Sequence, residues 1–350
     1  MSHFGRQEDC DRCHSSSSLR LGLARIFRLF IELFPAPASH LLSRPRLGSN
    51  HLTDYAYSMI SDAVTAPHPS ITERITLEQV HPTRFRGGVH PGPRTRTYGG
   101  EVAGQAVSAA SRTVAEDREI HSASMHFLLP GDTSVPVEFE VETTRDGRSF
   151  SARQVRAIQH GRVIFTMTAS FHCRENGLAH QIPTLDAPPP SSLPTTEEMF
   201  ATDPANLEWI RWLTGSMDVE ARFPEIPARS AAARGLRTAP LQRVWLRANR
   251  PVGASAADRA AALAYISDLL LLSAAVGPHG LTLQGGELQF ATISHAIWFH
   301  SPLAVDDWFL YDQDSRWAGA GRALCRGEMF DSAGTLCATT MQEGLIRPLS

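Results

Sequence analysis

One pattern constrains this chain more than any other: a helix followed by an antiparallel meander, written twice. Glu101 to Val114 places small and apolar residues (Val102, Ala106, Ala109, Ala110) at helical spacing. The helix this predicts has an unusually slim face, around which a sheet can wrap closely. Val135, Val137, Phe139 and Val141 then alternate with Pro136, Glu138, Glu140 and Glu142, the period of a half-buried strand. Asp146-Gly147 supplies a turn, Phe150 to Ile158 a second strand, His160-Gly161 another turn, and Val163 to Phe171 a third strand. The order restarts with a helix over Arg259 to Val276 and strands over Thr292 to His300 and Trp308 to Asp312. Ala323 to Phe330 then turns through Asp331-Ser332-Ala333-Gly334 into Leu336 to Leu345. Identity between the halves is low, so the repeat rests on element order. Residues 174–255 interrupt it with Pro188-Pro189-Pro190, Pro194 and Pro204 and read as a linker with some local structure.

These features divide the chain into a leader (1–70), a first unit (71–175), a linker region (176–240) and a second unit (241–350). The leader holds a serine run, Ser15 to Ser18, and an apolar stretch, Leu19 to Phe34, broken by Arg20, Arg25 and Arg28. It is neither a signal-peptide core nor a membrane span. A transit peptide, a surface helix, or a dispensable leader with translation starting at Met59 are its readings. Cys10-Asp11-Arg12-Cys13-His14 spells the spacing of a c-type haem attachment. In a Ser- and Arg-rich tail, a chance match is the better reading.

Composition excludes several chemistries. The sequence contains no lysine, which removes a P-loop lysine, a pyridoxal Schiff base and a Ser-Lys dyad. The formal net charge of −3 is spread without a basic block, which argues against nucleic acid and anionic membranes and for a small molecule. Five scattered cysteines suit a reducing compartment, so a cytoplasmic location is expected. No closely spaced His/Cys/Asp set suggests zinc, and neither a metal nor a cofactor is expected. A Gly-x-Ser-x-Gly elbow is missing, which disfavours a serine hydrolase.

Three polar side chains interrupt apolar segments where buried residues are expected: Asp268 in LAYISDLLLL, Thr292 in FATISHAIWFH and Gln342 in TTMQEGLIR. A carboxylate inside an oily helix costs several kcal/mol unless something pairs with it. These positions therefore look like a site. Taken singly, each also has a plain structural reading: a helix start for Asp268, an ordinary strand residue for Thr292, an edge-strand face for Gln342.

TYGGEVAGQAVSAA, HSASMHFLLPGD, RDGRSFSARQVRAIQHGRVIF, MTASF, LAYISDLLLL, PHG, ATISHAIWFH, RGEMF and QEGLIR resemble, in order, the segments of TesB-type acyl-CoA thioesterases, from about Tyr98 to Arg347. The resemblance implies an α+β double hotdog, two fused folds in each of which an antiparallel sheet wraps a long helix. It also implies that Asp268, Thr292 and Gln342 hold a hydrolytic water and that the substrate is fatty acyl-CoA, cleaved without a covalent intermediate. Physical reasoning agrees: a thiol with a pKa near 8.5 leaves without a strong general acid, so one placed water can suffice.

Other residues are candidates for holding the substrate. Gly99 and Gly100, ahead of the first helix, are the nearest source of oxyanion-binding amides. His121 fits either a base or a histidine fixing the sheet beside the substrate channel. Arg148, with Arg145 and Arg153, can meet the coenzyme A phosphates, or simply form a solvated hairpin. Two positions depart from the family pattern, Leu129 for an arginine and Ser294 for an aspartate, and both bear on ligand contacts. The expected partners are acyl-CoA and further copies of this chain, with no nucleic acid and no stable membrane insertion. The competing functions are a non-catalytic acyl-CoA-binding hotdog protein and a hotdog enoyl-CoA dehydratase, which would want an Asp/His pair.

Overall fold

The two runs of elements build two halves of a single sheet. The computed structural model describes residues 68–90, 96–183, 186–283 and 288–349. The leader as far as residue 67, with its Cys-x-x-Cys-His motif and Met59, lies outside the described residues. In chain order the strands are β1 (Leu77–His81), β2 (Arg84–Gly87), β3 (Arg118–Phe127), β4 (Val137–Asp146), β5 (Phe150–Gln159), β6 (Arg162–Cys173), β7 (Val219–Arg222), β8 (Leu241–Ala248), β9 (Leu288–Phe299), β10 (Phe309–Gly319), β11 (Arg322–Asp331) and β12 (Leu336–Pro348). The helices are α1 (Ile71–Ile75), α2 (Gly99–Ser111), α3 (Thr196–Met199), α4 (Pro204–Met217), α5 (Ala228–Ala233) and α6 (Ala256–Ser267).

The strands lie in the order β1-β2-β4-β5-β6-β3-β9-β12-β11-β10-β8-β7. Read from either edge the connectivity is the same, with β3 and β9 as counterparts in the middle. Their antiparallel pairing, from Ser122 opposite Trp298 to His126 opposite Ser294, fuses the two sheets. Each half packs a helix against its sheet, α2 in the first and α6 in the second, which is the double hotdog expected from the sequence. The tight turn at His160-Gly161 is real: both residues have positive φ, 51° and 68°, the geometry that matches the twist of a two-residue hairpin.

The slim face of α2 has a use the sequence reading did not give it. Besides lying under a sheet, it meets α6. A Cβ on Gly100 would run into the carbonyl oxygen of Tyr265, and one on Gly104 would lie 2.8 Å from that of Ala261. Glycines four apart on α2 thus face backbone four apart on α6, and the two helices touch main chain to main chain.

Two expectations need correction, and a third, the linker with some local structure, gains its elements. The second helix does not run to Val276. It ends at Ser267 and is followed by 3-10 turns over Leu271–Ala275 and Gly277–His279. Asp268 is consequently a C-cap, not a residue inside a helix. The strand read over Trp308 to Asp312 continues to Gly319 as β10. Finally, the proline-rich stretch is folded: it carries α3, α4, α5, β7 and β8, with Asp203 capping α4 and Pro204 in its first turn. Prolines there punctuate short elements. Among the described residues, one helical stretch, Ala256–His279, is long and apolar enough to cross a membrane, and 78% of its most apolar window is buried inside the fold as core.

Gly104→Val is expected to destabilise the protein by about 1–3 kcal/mol, because the helix contact has no room for a side chain. Gly177→Val, where nothing lies within 4 Å, is the neutral control. Urea unfolding of both variants checks the difference.

Candidate active site

The end of α6 is set by three side chains from two other elements, Tyr98 at the N-cap of α2 and Tyr311 and Gln313 on β10. A helix leaves its last carbonyls without intrahelical partners. Here Tyr98 Oη donates to the carbonyl of Tyr265 (2.9 Å), Tyr311 Oη to that of Ser267 (2.6 Å), and Gln313 Nε2 to that of Leu269 (3.1 Å). The chain then leaves the helix through Leu270, held at φ 63°, a left-handed conformation that is costly for a leucine. The result is a stretch of main chain tied down on both sides of Asp268.

The Asp268 carboxylate accepts three hydrogen bonds. Gly100 N–H, in the first turn of α2, donates to Oδ2 at 3.0 Å. Gln342 Nε2 and Thr292 Oγ1 donate to Oδ1 at 2.5 and 3.1 Å. Gln342 Nε2 also donates to Thr292 Oγ1 at 2.7 Å, so its two amide protons hold the other two members together. The three residues singled out by sequence are therefore one cluster. Burial pushes Asp268 up to about 6, against the pull of the bonds from Gln342, Thr292 and Gly100. At neutral pH the group is ionised, yet close enough to its pKa to exchange a proton readily.

A β-bulge aims Thr292. Between β9 and β12, Ser294 pairs with Glu343 but Thr292 with Gly344, which leaves Ile293 as the extra residue. Thr292 and Ile293 both line a cavity of about 440 Å³ that Asp268 and Gly99 also border. The other walls are mostly apolar and come from the end of β3 (Phe127 to Leu129), the turn after α6 (Leu269, Leu272) and α4 (Trp212, Leu213, Met217). Leu129 is thus a cavity residue, whereas Ser294 is not among those lining it.

The same bulge occurs in the first half. Ile120 pairs with Phe171 and Ser122 with Ser170, leaving His121 as the extra residue. Counterparts follow from register: Ile120 for Thr292, Ala169 for Gln342, and Arg112, the C-cap of α2, for Asp268. Where Cys325 stands opposite Gln342, Arg153 stands opposite Ala169. Arg153 is buried and fills this position, donating to Thr113 Oγ1 and to the carbonyls of Thr113, Ala152 and Arg145, and pairing with Asp146 at 2.9 Å. The duplication has one catalytic-looking site and one plugged by a guanidinium.

That placement corrects the phosphate reading of Arg153, whose donors are spent inside the protein. Arg148 is exposed on the β4–β5 hairpin, where its carbonyl accepts from Arg118 Nη2 at 2.8 Å. His121 faces Ser170 Oγ at 2.8 Å and packs against the rings of Phe150 and His172. Neither lines the Asp268 cavity. Gly99 and Gly100 both reach the cluster, but differently: the Gly100 amide is committed to Asp268, while an added Cβ on Gly99 would sit 2.8 Å from Asp268 Oδ2. Sequence reasoning missed Tyr98, Tyr311 and Gln313. Their one signal is the adjacency of Tyr98 to the glycine pair. Among the described residues no group of three or more His, Cys, Asp or Glu is placed to hold a metal ion.

Gln342→Leu removes the strongest of the three pulls on the carboxylate, so the Asp268 pKa, which burial pushes up to about 6, is expected to move further upward. Carboxyl-carbon NMR, assigned by loss of the signal in Asp268→Asn, checks the direction.

Comparison with known proteins gives a consistent answer. A family model described as acyl-CoA thioesterase matches residues 216–345, and one described as acyl-CoA thioesterase N-terminal domain matches residues 90–172. Acyl-coenzyme A thioesterase 8 of Homo sapiens is 35% identical over 286 residues, covering 79% of this chain and 88% of that protein. Acyl-CoA thioesterase 2 of Haemophilus influenzae is 35% identical over 277 residues, covering 78% and 95%. Among solved structures, the acyl-CoA thioesterase II TesB2 of Mycobacterium marinum superposes with a TM-score of 0.65 at 39% identity, covering 80% of this chain and 99% of that one. A hot dog fold protein from Alicyclobacillus acidocaldarius, at 21% identity and a TM-score of 0.64, shares the fold.

Proposed function

This chain belongs to the TesB-type acyl-CoA thioesterase family and hydrolyses acyl-CoA, and we propose that Asp268 is the general base that activates the attacking water. One observation carries the assignment: a carboxylate raised to about 6, fixed by three donors, on the wall of an apolar cavity. Asp268 accepts a proton as the water oxygen attacks the thioester carbon. Thr292 and Gln342 keep the carboxylate oriented, so no side chain must reorganise at the moment of attack. The tetrahedral intermediate expels the coenzyme A thiolate, whose low basicity removes the need for a strong acid, and the proton held by Asp268 returns to the leaving thiol.

The developing oxyanion needs a donor. The Gly100 amide is occupied by Asp268, which leaves Gly99, one residue earlier at the positive end of α2, as the amide to stabilise it. The glycine also keeps the space in front of Asp268 open.

The dehydratase reading fits less well. It wants a histidine beside the aspartate, and the partners of Asp268 are Gly100, Thr292 and Gln342. The nearby buried His295 faces Ser267 Oγ instead, at 2.9 Å. We extend the reading to a cytoplasmic setting, supported by the unbridged Cys173, Cys325 and Cys337, and to self-association, supported by the exposed Trp298 on the seam of β3 and β9.

Asp268→Asn is expected to lower kcat by about a hundredfold or more, as loss of a general base does, while circular dichroism shows an intact fold. Turnover equal to wild type across several acyl-CoAs would sink the assignment, and complete loss of hydrolysis in wild type would favour a binding protein. Since the working form is the ionised one, kcat/KM is expected to hold above the Asp268 pKa and to fall as pH drops through about 6. A thiol-release assay between acid and neutral pH reads the limb.

A further inference from the structure

We propose that α4 sets the acyl-chain length this enzyme accepts, with the indole of Trp212 as the stop; the inference rests on the thioesterase reading of the cavity. The two halves correspond strand for strand, and each edge strand is preceded by a helix, α1 before β1 and α4 before β7. Those helices are the least alike of the pair-related elements: α1 has 5 residues and α4 has 14. The extra turns, residues 204–212, end on Trp212, which lines the Asp268 cavity beside Leu213 and Met217 of the part that matches α1. In α4 the repeat is broken beside the Asp268 cavity, and the added length brings the indole of Trp212 to its wall.

The wall is held firmly enough to measure length. At its C-terminus the carbonyl of Ser216 accepts from Arg74 Nη2 at 2.8 Å, and Arg74 pairs with the buried Glu101 of α2 at 2.9 Å. The cap residue Asp218 accepts from Ile71 N–H at 3.0 Å and from Arg250 Nε at 2.8 Å. These bonds tie α4 to α1 and to the same helix whose N-terminus holds Asp268, so the distance between base and wall is fixed by the main framework. A saturated chain gains from each methylene it buries in such a cavity until it meets the wall, and then loses by overpacking. Few polar groups line the cavity beyond the reacting cluster, so an unfunctionalised acyl chain is the ligand it fits.

Trp212 is the informative position because it is only partly buried, whereas Leu213 and Met217 are 6% and 2% exposed and pack in the core. The test is kcat/KM for straight-chain acyl-CoAs from butyryl to stearoyl, measured on wild type, Trp212→Ala and Leu213→Phe. Trp212→Ala is expected to move the longest well-used chain upward, raising the long-to-short ratio by about tenfold or more, the usual worth of methylene-sized changes in a pocket. Leu213→Phe narrows the same wall and is expected to move the limit downward. Butyryl-CoA, the shortest of the series, anchors the short end of that ratio. An unchanged length limit in Trp212→Ala, or a uniform change at every length, would overturn the role of α4 while leaving the thioesterase reading intact. Wild type that released no coenzyme A from any of these substrates would refute the thioesterase reading itself.

Discussion

The bond from Gly100 N–H to Asp268 Oδ2 joins the two halves of the molecule at the cluster of Asp268, Thr292 and Gln342. It can form because α2 and α6 touch main chain to main chain, and that contact exists because Gly100 and Gly104 offer no side chains to Tyr265 and Ala261. The positive end of one hotdog helix is thereby laid against a carboxylate at the end of the other. Neither half could make the site alone: Gly99 and Gly100 come from the first, Asp268, Thr292 and Gln342 from the second. Fusion of the two sheets through β3 and β9 is what keeps the halves in this register.

The cluster also shows where stability is given up. Asp268 is charged in surroundings that disfavour charge, and Leu270 adopts a left-handed conformation two residues later. Both features are held in place by neighbours, with Tyr98, Tyr311 and Gln313 pinning the adjacent carbonyls. In the first half the same position carries Arg112, Ile120 and Ala169, with Arg153 bonded to main chain in the space between. Strain and buried charge occur in the half that carries the Asp268 cluster and are replaced by a satisfied arginine in the other.

Much of this was legible in the sequence because it is periodic or compositional. The alternation of Val137, Phe139 and Val141, the His160-Gly161 turn and the small residues of α2 are local signals, and the structure follows them. Asp268, Thr292 and Gln342 stood out as polar residues in apolar runs, although burial cost alone could say only that they needed partners. What failed to show were features set by distant contacts. Nothing in Ile266-Ser267-Asp268-Leu269-Leu270 marks a helix end, since the stop is made by Tyr98, Tyr311 and Gln313 and the left-handed residue is a leucine, not the usual glycine. The folded character of residues 196–233 was hidden by prolines that cap helices as readily as they break them. Arg153 looked like a phosphate ligand because charge is visible in a sequence and burial is not.

The account stands or falls on Asp268 acting as a base toward water and not as a nucleophile toward the acyl group. A single turnover in water enriched in heavy oxygen, with enzyme in excess over acyl-CoA and acid quench at early times, separates the two by mass spectrometry of the product acid, of the peptide containing Asp268 and of any acyl adduct on that peptide. Direct attack by water places the label in the fatty acid and leaves the Asp268 peptide unlabelled. Heavy oxygen in the Asp268 carboxylate, the mark of an acyl-aspartate opened by water, would contradict the account.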